Sequence, residues 1–186
     1  MLLTRLETER LILRPLEISD IAALVPLIGA REVAATTLRI PHPYTEADAR
    51  DYIASSHESF SSGEEVRLAI VMREHNSLCG GVGLRIENEH RRAELGYWIG
   101  LPYWNRGIAT EAAMAVVNYG FESLKLNRIF AGFVAGNSAS ERVLKKIGMQ
   151  REGCQRGHDQ KWGKFLDLEL YGILASDPRA PAAPGK

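Results

Sequence analysis

The sequence has little cysteine: Cys79 and Cys154 stand far apart, with no second pair at metal-ligand spacing. That excludes a disulfide framework and a zinc site as organising features, and a reducing, cytoplasmic setting is the expectation. Net charge is missing as well, since 23 basic residues face 23 acidic ones in 186. No overall field draws such a chain to nucleic acid or to an anionic membrane, although a local basic pocket is compatible with it. No apolar run approaches the roughly 20 residues that span a bilayer. Arg5, Glu7, Glu9 and Arg10 interrupt the N-terminal apolar residues where a signal peptide needs an unbroken core. Neither common nucleotide loop is present, G-x-x-x-x-G-K-[ST] or G-x-G-x-x-G behind a strand. What is there, 45% hydrophobic and 25% charged residues, is the composition of one globular domain.

The most informative stretch is Glu94 to Phe121. Leu95, Tyr97, Trp98 and Ile99 favour a strand, and Gly100, Pro102 and Asn105 break it. A helix then starts near Gly107, with Ile108, Ala112, Ala115, Val116 and Tyr119 recurring along one face. A strand, small-residue turn and helix in succession leave unpaired N–H groups at a positive helix end, which suits a phosphate. Gly107 and Ala109 let an anion approach the backbone, and Arg106 adds a cation. An ordinary strand-to-helix turn is the plainer alternative.

Elsewhere, Arg10 to Arg14 alternates as a strand, with Leu11 and Leu13 on one face and Ile12 on the other. Ser19 and Asp20 open a helix that carries Ile21, Leu24, Val25 and Ile28, and Pro26 predicts a kink or an early end to it. Residues 36–44 read as a loop. Thr45 and Asp48 form a capping pair for a second helix that closes at Gly63. Val66 to Met72 is a strand, His75 to Ser77 a turn, and Leu78 to Ile86 the returning strand. The charged stretch Arg85 to Arg92 reads as a solvated connection. After the central helix come a strand over Arg128 to Ala135 and a helix opened by Asn137 and Ser138, with a Ser138–Glu141 capping box and Gly148 as its stop. Two strands, Gln150 to Arg156 and Lys164 to Ile173, complete the domain, and the alanine- and proline-rich tail 175–186 is expected to be disordered. This order supports an α/β or α+β domain with helices on a largely antiparallel sheet.

WNRGIATEA resembles the pyrophosphate-binding loop of the GNAT superfamily of N-acetyltransferases, [QR]-x-x-G-x-[GA] after the fourth strand. ETERLILRPLEISD, ELGYWIG and NSASERVLKKIGMQREG resemble one branch of it, the ribosomal-protein N-terminal acetyltransferases of RimJ/RimL type. Together the four segments run from Glu7 to Gly153 in the family's order. Trp104 departs from the pattern where Gln or Arg is usual, which removes a polar side chain and none of the backbone donors. The resemblance implies a single GNAT domain over 1–174, with about seven strands in a mixed, largely antiparallel, twisted sheet splayed between strands 4 and 5, and about four flanking helices. It also implies acetyl-CoA as cosubstrate. The pantetheine arm would follow the backbone of Trp98 and Ile99, the pyrophosphate would meet Arg106, Gly107, Ile108, Ala109 and Thr110, and Asn137 would be a further contact. No metal, nucleic acid or membrane is implied, and the chain is expected to act as a monomer or homodimer.

Acetyl transfer needs a neutral amine, and at neutral pH deprotonating a Lys side chain costs about 4 kcal/mol against roughly 1 for an α-amine. The resemblance assigns Glu94 as general base, directly or through water, with a salt-bridged surface carboxylate as the plainer reading. Many superfamily members carry a tyrosine acid in N-x-x-A-x-x-x-Y, but Leu144 stands at that position here, and the RimJ/RimL pattern points instead to Ser140 beside the leaving thiolate. His42, Tyr44, Trp104, His158 and Trp162 are candidates for the border of the acceptor site, each against a core or surface role. The expected activity is acetylation of a protein or peptide N-terminal α-amine. A small-amine acetyltransferase acting on an aminoglycoside or polyamine, and a non-catalytic CoA-binding sensor or scaffold, are the alternatives.

Overall fold

Alternating apolar residues set the first half of the sheet in the computed structural model, which describes residues 5–178. The strands β1 (Leu6–Glu7), β2 (Leu11–Arg14), β3 (Glu65–Met72), β4 (Ser77–Glu87) and β5 (Arg92–Ile99) pair antiparallel, each with the next. Leu11 and Leu13 fall in one core and Ile12 packs against the other. One face of the sheet is covered by α4 (Ile108–Glu122) and α5 (Ser138–Lys146), the other by α1 (Ile21–Ile28), α2 (Arg31–Ala35) and α3 (Glu46–Ser62). With both faces covered, β3 and β4 are apolar almost throughout, as their buried residues require. No helix among the described residues is long and apolar enough to cross a membrane.

The feature that positions everything else is a failure of pairing. β5 and β6 (Arg128–Val134) run parallel across α4, but they pair only at Arg92, Ala93 and Glu94 against Arg128, Ile129 and Phe130. β6 then stays with β8 (Lys164–Leu174), and β8 with β7 (Gln150–Lys161), both antiparallel. The sheet order is β1-β2-β3-β4-β5-β6-β8-β7, opened between β5 and β6. Beyond Glu94 the β6-facing edge of β5 has no strand partner among the described residues. This is the expected splay, with the short β1 as an additional strand.

Several sequence expectations are corrected. Half of the charged stretch 85–92 is strand, because its charges pair across the ladder: Arg85 lies opposite Glu94, and Glu87 opposite Arg92. Only a short 3₁₀ turn, Asn88–His90, and Arg91 at φ 48° connect β4 to β5. Residues 31–35 form α2, and β7 extends to Lys161, past the expected end at Arg156. Pro26 is accommodated inside α1, which ends at Ile28 with the Gly29 N–H on the Val25 carbonyl. The Thr45–Asp48 capping box is present, and Gly63 ends α3 at φ 75°. No Ser138–Glu141 box caps α5. Asn137 takes that place, its Oδ1 accepting from the Ser140 N–H at 3.1 Å. At the C-terminus, Ala175 donates to the Asn127 carbonyl and Asp177 bonds the Leu174 backbone. The rest of the expected disordered tail, 179–186, lies outside the described residues.

Candidate active site

The turn after β5 delivers what its small residues suggest. Gly107 sits at φ 76°, the left-handed conformation a glycine adopts without strain, and α4 starts directly behind it with no side-chain cap. The first intrahelical bond is donated by Glu111, to the Gly107 carbonyl at 3.1 Å. The N–H groups of Ile108, Ala109 and Thr110 therefore precede the helical ladder at its positive end. Arg106 is exposed, its guanidinium 5.8 Å from the Tyr103 ring.

Sequence reading missed the support under this loop. Arg10 Nη1 donates to the Arg106 carbonyl at 3.0 Å, and Arg10 also binds the Glu111 carboxylate through Nε at 2.7 Å. The Glu111 carboxylate accepts from the Arg10 backbone N–H at 2.9 Å and from the Thr8 hydroxyl at 2.6 Å. Burial would raise the Glu111 pKa, but the Thr8 and Arg10 hydrogen bonds outweigh it and hold the carboxyl below its ordinary value. No local signal ties Arg10 to Glu111, because the pair joins segments a hundred residues apart.

Where β5 and β6 part, a cavity of about 550 Å³ opens. Glu94, Trp98 and Ser140 line it, whereas Ile99, Asn137 and residues 106–110 do not. Asn137 borders a separate depression of about 170 Å³ with Ser138, Arg151 and Tyr171. The Ile99 carbonyl accepts from Trp104 Nε1 at 2.7 Å, so Trp104 serves the β5 end as a packing anchor.

The two walls of the cavity differ. Strand alternation sends Ala93, Leu95, Tyr97 and Ile99 towards the α4 side and Trp98, with Glu94 in the same phase, towards the α1–α3 side. Glu94 is a quarter exposed and its Oε2 meets two guanidiniums, Arg85 across the strand and Arg39 at 3.2 Å. Neither of these contacts involves Oε1. On the other wall, Ser140 lies in the first turn of α5, and the Tyr97 hydroxyl stands 3.5 Å from the Ser140 carbonyl. Leu144, one turn on, is buried in the core.

Of the proposed border residues, only Tyr44 lines the cavity. His42 donates from Nδ1 to the Gly29 carbonyl, 3.1 Å away, and packs its ring edge-on against Trp162. His158 is exposed. Trp162, at the β7–β8 turn, is flanked by the cations of Arg31 and Lys161. Lys161 Nζ donates to the carbonyls of Ala34 at 2.5 Å, Ile40 at 3.2 Å and Thr37. The hairpin tip thereby clasps the 36–41 segment, which forms part of the cavity wall. Cys79, by contrast, is buried and donates to the Ile70 carbonyl, and burial pushes its thiol up to about 12, so it is inert. A carboxylate on one wall, two hydroxyls on the other and an open strand edge between them form an arrangement able to receive a group in transfer.

Comparison with known proteins agrees with this geometry. Residues 10–150 match the model of the acetyltransferase (GNAT) domain. The uncharacterized N-acetyltransferase p20 of Bacillus licheniformis is 34% identical over 171 residues, 91% of this chain and 95% of that protein. The ribosomal-protein-serine acetyltransferase of Escherichia coli is 29% identical over 90 residues, 48% of this chain and 50% of that protein. Among solved structures, an acetyltransferase of the GNAT family from Bacillus anthracis superposes with a TM-score of 0.83 at 27% identity, covering 94% of this chain and all of that one.

Proposed function

Because the chain belongs to the GNAT family of acetyltransferases, we propose that its acceptor is the α-amine of a protein or peptide N-terminus, acetylated by direct attack in a ternary complex. The enzyme is an N-acetyltransferase and its cosubstrate is acetyl-CoA, which supplies the acetyl group as an activated thioester. The residues present fit that molecule. The uncapped start of α4 behind Gly107 presents the N–H groups of Ile108, Ala109 and Thr110 to a pyrophosphate, with Arg106 beside them. The edge of β5 beyond Glu94, which β6 leaves, offers strand-like hydrogen bonds to an extended arm at Trp98 and Ile99, apart from the Ile99 carbonyl that Trp104 holds. Asn137 keeps its amide nitrogen for a further contact while its oxygen caps α5.

The observation that carries the reading is that Glu94 and Ser140 open into one cavity from opposite walls of the split sheet. Glu94 takes the proton of the incoming amine through Oε1, directly or through water, while Arg85 and Arg39 fix its other oxygen. Ser140 hydrogen-bonds the sulfur on the far wall. A single carboxylate oxygen suits an α-amine, whose deprotonation at neutral pH costs about 1 kcal/mol, better than a Lys side chain at about 4. The partial match to a ribosomal-protein-serine acetyltransferase supports the same acceptor class. The reading includes a monomer or homodimer in the reducing cytoplasm, acting on peptide without nucleic acid, and the free Cys79 and Cys154 support only the redox setting.

The test is an acetylation screen that follows thiol release with free peptides, N-terminally blocked peptides containing lysine, polyamines and aminoglycosides. Free α-amines are expected to give the highest kcat/KM, and blocking the N-terminus to abolish turnover. Turnover of a small amine with inert peptides would overturn the acceptor assignment, and CoA binding without thiol release from any acceptor would favour a sensor.

A further inference from the structure

We propose that Tyr97 is a catalytic residue of this site, donating its phenolic hydrogen to the sulfur that the acetyl group leaves. The inference rests on the acetyl-transfer reading of the same cavity. It starts from a polar group that the fold leaves poorly served. Tyr97 lines the cavity on the wall opposite Glu94, and among the described residues its hydroxyl reaches the Ser140 carbonyl at 3.5 Å and contacts the Ser140 side chain. That distance is the outer limit of a hydrogen bond, and a buried hydroxyl is ordinarily bonded at 2.7–2.8 Å or so. The phenol thus stands in the cleft with its donor hardly engaged, beside the Ser140 side chain and over the positive first turn of α5. Leu144 and Phe133 wall the spot with apolar surface, which strengthens any hydrogen bond made there.

The chemistry sets the role. Nitrogen forms its bond to the acetyl carbon as the carbon–sulfur bond breaks, Glu94 receives the nitrogen's proton, and the electron pair of the broken bond stays on sulfur. Burial pushes the Tyr97 phenol up to about 12, contact with Ser140 working against it. A thiol ionises near pH 8.5, so Tyr97 keeps its proton and stabilises the sulfur anion by a charge-assisted hydrogen bond until solvent protonates it. Amine on the Glu94 wall and sulfur on the Tyr97 wall divide the labour of the two faces of β5.

The experiment titrates the thiol of bound CoA by thiolate ultraviolet absorbance, with no acceptor present, in the wild type and in Tyr97→Phe. The wild type is expected to ionise bound CoA at lower pH than free CoA. The Phe variant is expected to return the midpoint towards the free value by about one pH unit, with single-turnover acetyl transfer falling about ten-fold. CoA affinity at low pH, where the thiol is neutral, stays unchanged. Glu94 and Arg85 are common to both proteins, so the difference reports the phenol. If the Phe variant melts early, fluorinated tyrosine at 97, a stronger donor, is expected to move the midpoint further down. An identical midpoint in wild type and variant, or no CoA binding, overturns the proposal. An acceptor other than a peptide would overturn the acceptor assignment and leave this titration standing.

Discussion

Glu94 is the proposed base, and its environment says what its loss should do. Glu94→Gln keeps the shape and removes the base, so turnover is expected to fall by about two to four orders of magnitude. Its ion pairs with Arg85 and Arg39 are partly solvent-exposed, so the melt should move little, and CoA affinity should hold. Raising the pH should recover much of the rate, because solvent then supplies neutral amine. Wild-type turnover by folded Glu94→Gln at neutral pH would remove the base assignment. Gly107 is the corresponding residue proposed for cofactor binding. At φ 76° a valine is strained by about 1–2 kcal/mol, and its branched side chain crowds the N–H groups behind it. Calorimetry on Gly107→Val is expected to show CoA affinity reduced about ten-fold or more. Unchanged affinity would place the pyrophosphate elsewhere.

Two elements at the margins hold the site in shape. The β1–β2 segment is pinned to α4 by Thr8, Arg10 and Glu111, next to the Gly107 turn. Since the folded pKa of Glu111 is depressed, its stabilisation is complete above the ordinary carboxyl value of 4.5 and is lost as pH falls through the lower, folded value. Glu111→Gln should therefore cost about 1–2 kcal/mol at neutral pH and flatten the acid limb of the Tm profile below about pH 4.5. A parallel downward shift at every pH would contradict that linkage. On the opposite side, the β7–β8 hairpin clasps residues 34–40 through Lys161. Lys161→Met is expected to raise the acceptor KM roughly three- to ten-fold while CoA affinity stays constant. Equal change in both would make the clasp a general stabiliser. Neither clasp was legible in the sequence, because each joins segments far apart in the chain and is visible only after folding. Local patterns fared better: the Thr45–Asp48 cap and the Gly107 turn depend on a few neighbouring residues. The 85–92 stretch misled because a run of charges looks solvated until the register sets Arg85 against Glu94.

At the scale of the whole molecule, function follows from a sheet that stops pairing. Alternation and turn residues were enough to order most strands and helices, and four motifs in register were enough for the family. Periodicity carries no information on where parallel strands separate, so the splay came from resemblance and the three-pair ladder between β5 and β6 bears it out. The site was half legible. Glu94, Trp98 and Ser140 do meet in one cavity, while Arg39, Arg85 and Tyr97 were missed because their place depends on the opposite strand or the opposite wall. The central claim is that this split receives the cosubstrate with the amine on one wall and the sulfur on the other. A crystal structure of the enzyme soaked with CoA tests it most directly. The account predicts pyrophosphate on the amides of 108–110, the pantetheine arm along the free edge of β5, and the thiol between Ser140 and Tyr97 across the cavity from Glu94. CoA bound away from the split, or with its thiol on the outer surface of either wall, would contradict it.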